Sequence, residues 1–156
     1  MANTNVADVI TWIATQVAAT TPPVATAPVD ASFVRATPLE TFEPNGSTIY
    51  RGHDRQFEIR LTSRREAETF GASSRQVEQG FEIEVMYMVS LSRAELDARM
   101  GRDAEAIENR LANLTGNPTG VRLVLARGAS FKRNHAHPDV RTMVLSFTVL
   151  YQLATT

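Results

Sequence analysis

Gly80-Phe81-Glu82-Ile83-Glu84-Val85-Met86-Tyr87-Met88-Val89-Ser90-Leu91 decides the fold. Its odd positions, Phe81, Ile83, Val85, Tyr87, Val89 and Leu91, are all apolar, against Glu82, Glu84, Met86, Met88 and Ser90 between them. Side chains of an extended chain alternate between two faces, so a period of two held this long specifies a strand with one face on a core. Upstream, Phe57, Ile59 and Leu61 alternate with Arg55, Glu58, Arg60 and Thr62, a second strand with a wet face. Downstream, Met143, Leu145, Phe147, Val149, Tyr151 and Leu153 place a strand over 140–153, and Val121, Leu123 and Leu125 begin another. Residues 32–42 read as a short strand interrupted at Pro38, followed by a turn at Pro44-Asn45-Gly46. The chain becomes strand-like again from Ile49.

Two helices frame these strands. Val6, Val9, Ile10, Ile13 and Val17 fall on one helical face, and Asn3 to Asn5 offer capping oxygens, which predicts a helix over 5–19. Pro22, Pro23 and Pro28 make residues 20–31 an extended connector. Ser92 and Glu95 form an S-x-x-E capping box, opening a helix through Leu96 and Met100. That helix is expected to kink or restart near Gly101 and Asp103 and to continue through Ile107, Leu111 and Leu114 until Gly116-Asn117-Pro118. Ser63 to Gly80 is polar and reads as a mobile loop, and Gly128 to Asp139 as a loop or bulged turn. The order is α-β-β-β-α-β-β. It predicts an α+β fold, an antiparallel-rich β-sheet packed against helices on one face, in one domain with its core at 32–153.

Composition narrows the function. A chain of 156 residues with 43% hydrophobic residues is long enough to bury a core, and a net charge of −1 gives no general drive toward nucleic acid or membrane. The absence of cysteine removes thiol chemistry. Met1 to Asp8 carries no basic residue, and Thr11, Thr15 and Gln16 interrupt the apolar stretch after it, unlike a secretory signal. No apolar run approaches the roughly 20 residues needed to cross a bilayer. The expectation is a soluble protein made in the cytoplasm.

Candidate chemistry is sparse. His135-Ala136-His137-Pro138-Asp139 would point alternate ligands one way on an extended segment and is similar to the H-x-H-x-D stretch of zinc hydrolases. The further histidine of that signature is absent, and His53 lies in an unrelated segment, so a polar turn is the favoured reading and no metal is expected. No glycine-rich nucleotide fingerprint occurs, and Ser63, Ser73 and Ser74 lack a nucleophile elbow. Glu82 and Glu84 read as cross-strand partners of Arg55 and Arg60 more readily than as an acid–base pair. No enzyme activity and no cofactor are expected. Arg51, Arg55, Arg60, Arg64, Arg65 and Arg75, with Lys132 and Arg133 as a second basic spot, are the candidate partner surface. It suits an acidic protein surface or passing DNA backbone, or else is a solvated, charge-balanced face.

Strand length points to assembly. Twelve residues at 3.3 Å each span roughly 40 Å, about the diameter of a compact domain of this size. Either neighbouring subunits complete such strands or bulges and bends shorten them.

The whole pattern resembles a known family. The amphipathic first helix, Arg55-Gln-Phe-Glu-Ile-Arg-Leu61, Phe81-Glu-Ile-Glu-Val-Met-Tyr87, the helix around Arg99-Met-Gly-Arg-Asp103-Ala-Glu-Ala-Ile107-Glu-Asn-Arg-Leu111 and the closing Met143-Val-Leu-Ser-Phe-Thr-Val-Leu-Tyr151 carry it. In this order they resemble the tail terminator (tail completion) proteins of long-tailed bacteriophages, over most of residues 5–153, by element order and hydrophobic pattern rather than an invariant motif. The resemblance implies a homohexameric ring in the virion neck, assembled in the host cytoplasm. Such a ring caps the finished tail tube, meets the tail tube protein on one side and the head–tail connector or stopper protein on the other, and leaves a channel for DNA. It needs no cofactor. The Arg-rich segment 63–75 is then expected to reach an adjoining ring. The alternatives are a head-closure or adaptor neck protein, a small metal-binding hydrolase centred on His135 and His137, and a ligand-binding module in the sheet–helix cleft.

Overall fold

Asn5 starts the first helix by the mechanism its side chain allows. In the computed structural model, which describes residues 4–23, 32–35, 55–67, 74–88, 93–133 and 140–154, the Asn5 side chain accepts from the Asp8 N–H at 3.0 Å. The Asp8 carboxylate accepts from the Asn5 N–H at 3.2 Å, closing a capping box on α1 (Val6–Ala18). Of the face foreseen from spacing, Val9, Ile13 and Val17 are buried and Val6 and Ile10 partly so; Trp12, which the spacing left out, is buried with them.

The second helix, α2, runs Arg93–Ala112, and five strands complete the fold: β1 (Val34–Arg35), β2 (Gln56–Ala67), β3 (Ser74–Met88), β4 (Val121–Arg133) and β5 (Val140–Ala154). They form one sheet in the order β1-β2-β3-β5-β4, with only the β1–β2 pair parallel. The α+β class and the order α-β-β-β-α-β-β are as the sequence indicates. Register aligns the apolar positions: Phe57 faces Val85, which faces Met143, and Leu61 faces Phe81, which faces Phe147. Val77, Phe81, Ile83, Val85 and Tyr87 of β3 and Met143 to Tyr151 at odd positions of β5 form one buried cluster. Leu96, Met100, Ile107 and Leu111 of α2 and the apolar face of α1 belong to the same cluster, so both helices lie on one side. Each such side chain contributes about 1.5–3 kcal/mol on leaving water.

Several expectations change. Ser63 to Ala67 and Ser74 to Gly80 are strand, not loop, and lengthen the β2–β3 hairpin. A β-bulge between Leu61 and Arg64 lets β2 continue, and Gly80 sits against it: a Cβ there would meet Ser63 Oγ at 2.7 Å. Gly128 to Arg133 also continues as strand, past an irregularity between Ala126 and Gly128. Helix α2 passes Gly101 and Asp103 without interruption, because Asp103 turns its carboxylate inward and does not cap a new helix. It ends at Ala112, before the stop signal, with Leu114 left-handed at φ 51°. The capping Ser92, the interrupted part of the 32–42 strand, the Pro44-Asn45-Gly46 turn, the strand expected from Ile49 and connector residues 24–31 lie outside the described residues.

The length argument also shifts. β3 and β5, 15 residues each, are paired inside the chain along both sides of most of their length, by β2 and β5 and by β3 and β4. Among the described residues the open ladder edges belong instead to β2 and β4: β1 covers β2 at Gln56 and Phe57 alone, and no strand lies outside β4.

Candidate functional site

Arg55 departs furthest from its expected place. It was expected on a wet strand face; instead it is fully buried, in a left-handed conformation at φ 65°, in the turn before β2. Its N–H donates to the Met86 carbonyl at 2.8 Å and its carbonyl accepts from Val34, which joins β1 to the sheet. Its guanidinium donates through Nε to Asp103 Oδ2 at 2.7 Å and through Nη2 to Oδ1 at 3.3 Å, a two-pronged pair of which neither side chain is exposed. The Tyr87 hydroxyl donates to the same Oδ2 at 2.9 Å. Burial first, then the adjacent Asp103 carboxylate, keeps that phenol protonated well above the usual tyrosine range. Arg99, also buried, lies 5.7 Å from the Tyr87 ring centroid, and Arg55 lies 5.7 Å from that of Phe33. This cluster pins β1, β2, β3 and α2 together. It is an anchor, not a surface.

The other predicted arginines among the described residues are strand-borne and exposed. Arg60 bridges Glu84 at 3.0 Å and Glu58 at 3.5 Å, and lies opposite Glu82 in register, which is the cross-strand role expected of those carboxylates. Arg65 pairs with Glu78 at 2.8 Å across the hairpin. Arg75 pairs with Glu66 and holds that carboxyl below its ordinary range. Arg64 is exposed opposite Gln79. The arginines expected on a mobile 63–75 loop are thus fixed on two paired strands. Lys132 and Arg133 stand exposed at the end of β4, at the far edge of the sheet. The structure does not bring the two basic groups together. Arg51, His53, His135, His137 and Asp139 lie outside the described residues. Among the described residues no group of three metal-binding side chains is found, and no helix is long and apolar enough to cross a membrane.

Charge on the face turned away from the helices is divided. The β2–β3 half carries Glu58, Glu78, Glu82 and Glu84 with Arg60 and Arg65. The β4–β5 half carries no carboxylate: Arg122 donates to Gln152 and Arg127 to Thr148, each at 3.0 Å, and Lys132 lies opposite Thr142. Leu123 and Leu125 are exposed between these cations, at 42% and 39%. Phe131 on β4 and Leu61 on β2 are about half exposed.

Sequence reasoning missed Asp103, Tyr87 and Arg99 as one cluster, and Arg122 and Arg127 as part of the basic edge. The signals were present. Asp103 occupies the apolar stripe Leu96, Met100, Ile107, Leu111, where a carboxylate needs a buried cation. Val121–Arg133 contains four basic residues and no acidic one.

A scan against protein-family models finds no match, and no curated protein matches the sequence.

Proposed function

We propose that this chain is a structural protein that closes into a ring at the head–tail interface of a tailed phage, caps the tail tube and joins it to the head connector, without catalysing a reaction. One observation supports the self-assembly: among the described residues the outer edge of β4, and that of β2 beyond Gln56 and Phe57, have no strand partner, and Leu61, Leu123, Leu125 and Phe131 stand exposed on these two strands. Monomeric proteins blunt such edges, whereas an oligomer uses them. The place in the virion rests on the resemblance of element order and pattern to tail terminators, with the ion-paired hairpin Arg65–Glu78 and Arg75–Glu66 available to the adjoining ring. Negative-stain images of the purified protein at high concentration test the reading. Six-fold rings about as wide as a tail tube, retained on isolated tubes, are the expected result. A monomer at every concentration overturns it, and retention on the connector alone reassigns the chain to head closure.

A further inference from the structure

We propose that the outer half of β4 takes up an extended segment of an adjoining protein as an added strand, one that alternates carboxylate and apolar side chains. This rests on the neck reading, which sets a different protein on either side of the ring, and deepens it by naming the chemistry that the β4 edge selects. Exposure is the first ground. Residues 125–133 are exposed without a break, on both faces of the sheet, and β5 pairs with them along one side only. The other side of that stretch displays backbone N–H and C=O groups in alternation, and an incoming strand meets both kinds. A nucleic-acid backbone offers phosphate acceptors and would leave the carbonyls unmet.

The two faces of β4 fix the pattern. Ala126, Ala129 and Phe131 stand opposite the buried Phe147, Leu145 and Met143, so they lie on the helix side of the sheet, yet they are exposed. Apolar side chains of an added strand would extend the core over them. On the other face Arg127 donates to Thr148 and Lys132 stands opposite Thr142, and neither cation is in an ion pair among the described residues. Carboxylates on that face of the added strand become their cross-strand partners. Asp139 is the only acidic residue after Glu108, so neither β4 nor β5 carries a carboxylate of its own. A second copy does not supply this strand. Its β4 would add cations to cations, and its β2 carries Arg60 and Arg65 among its glutamates.

The probe is an acetylated, amidated peptide of four Glu-Val repeats, added to the purified protein. Hydrogen exchange read by mass spectrometry is expected to slow at least tenfold across 125–133, with the rest of the chain unaffected. Methylating the peptide nitrogens that face β4 should abolish the protection, as should regrouping the same residues into a glutamate block and a valine block. Because Arg127 and Lys132 are exposed, Arg127→Glu with Lys132→Glu should leave thermal unfolding unchanged. That variant should bind the Glu-Val peptide at least tenfold more weakly and accept a Lys-Val peptide in its place. No protection at millimolar peptide, equal binding of the Lys-Val peptide by the unaltered protein, or a DNA duplex that displaces the Glu-Val peptide overturns the inference. Protection of 125–133 that grows with protein concentration alone also overturns it, since the occupant is then a second copy. Rings in negative stain without peptide uptake leave the ring reading standing. Uptake by a protein that stays monomeric overturns the ring and keeps the strand addition.

Discussion

Asp103 is a carboxylate in an apolar stripe, and its cost is offset only while Arg55 and Tyr87 hold it. Removing one member of a buried pair leaves the other charge uncompensated, so Asp103→Ala is expected to lower stability by about 3–5 kcal/mol in urea titration. The same cluster makes stability depend on alkaline pH. The folded state raises the Tyr87 pKa, so it keeps a proton that the unfolded chain gives up near the ordinary tyrosine value of 10.0. That contribution is complete below about pH 10 and is lost as pH rises from there through the folded value. Tyr87→Phe is expected to flatten this alkaline decline at a cost of about 1 kcal/mol for the lost hydrogen bond, measured by unfolding curves at several pH values. Arg55 itself looked like an exposed strand residue because Gln56 to Leu61 alternate after it. Its left-handed turn, which aims it inward, has no period to betray it.

Elements were legible wherever a strand had one dry face. Phe81 to Tyr87 and Met143 to Tyr151 alternate because helices cover one side and not the other. Past Leu61 the exposed side chains of β2 lie on both faces, so hydrogen bonding persists where the hydrophobic period has vanished, and Ser63 to Gly80 passed for a loop. In β4 the cause is different: two register irregularities shift its parity, and its outer half is exposed on both sides. Gly80 tests whether the β2 bulge is specified or incidental. Its missing Cβ leaves room for Thr62 and Ser63, so Gly80→Ala is expected to destabilise by about 1–3 kcal/mol in thermal or urea unfolding. A smaller effect would show that the bulge can slide.

At the scale of the whole molecule, α1 is held far from its neighbours in sequence. Trp12 donates its indole N–H to the Thr115 carbonyl at 2.9 Å, Arg110 donates to Gln16 at 2.8 Å, and the Gly120 N–H donates to Thr4 at 2.9 Å. In the proposed ring, by contrast, the charged groups on offer to a neighbour, Lys132 and Arg133 among them, are exposed to water. Raising ionic strength from about 0.05 to 0.5 M shortens the screening length severalfold. Assembly measured by sedimentation is therefore expected to weaken with salt while the monomer's melting temperature barely moves. The outer basic edge was half legible in the sequence, since Lys132 and Arg133 were visible as a spot, but only the sheet order shows them at a rim. Trp12 is the one tryptophan in the chain. Seated 5% exposed under the turn after α2, it makes the fluorescence of this protein a private gauge of whether its first helix is docked. A partner that peels that helix away would shift the emission to the red with the sheet left whole.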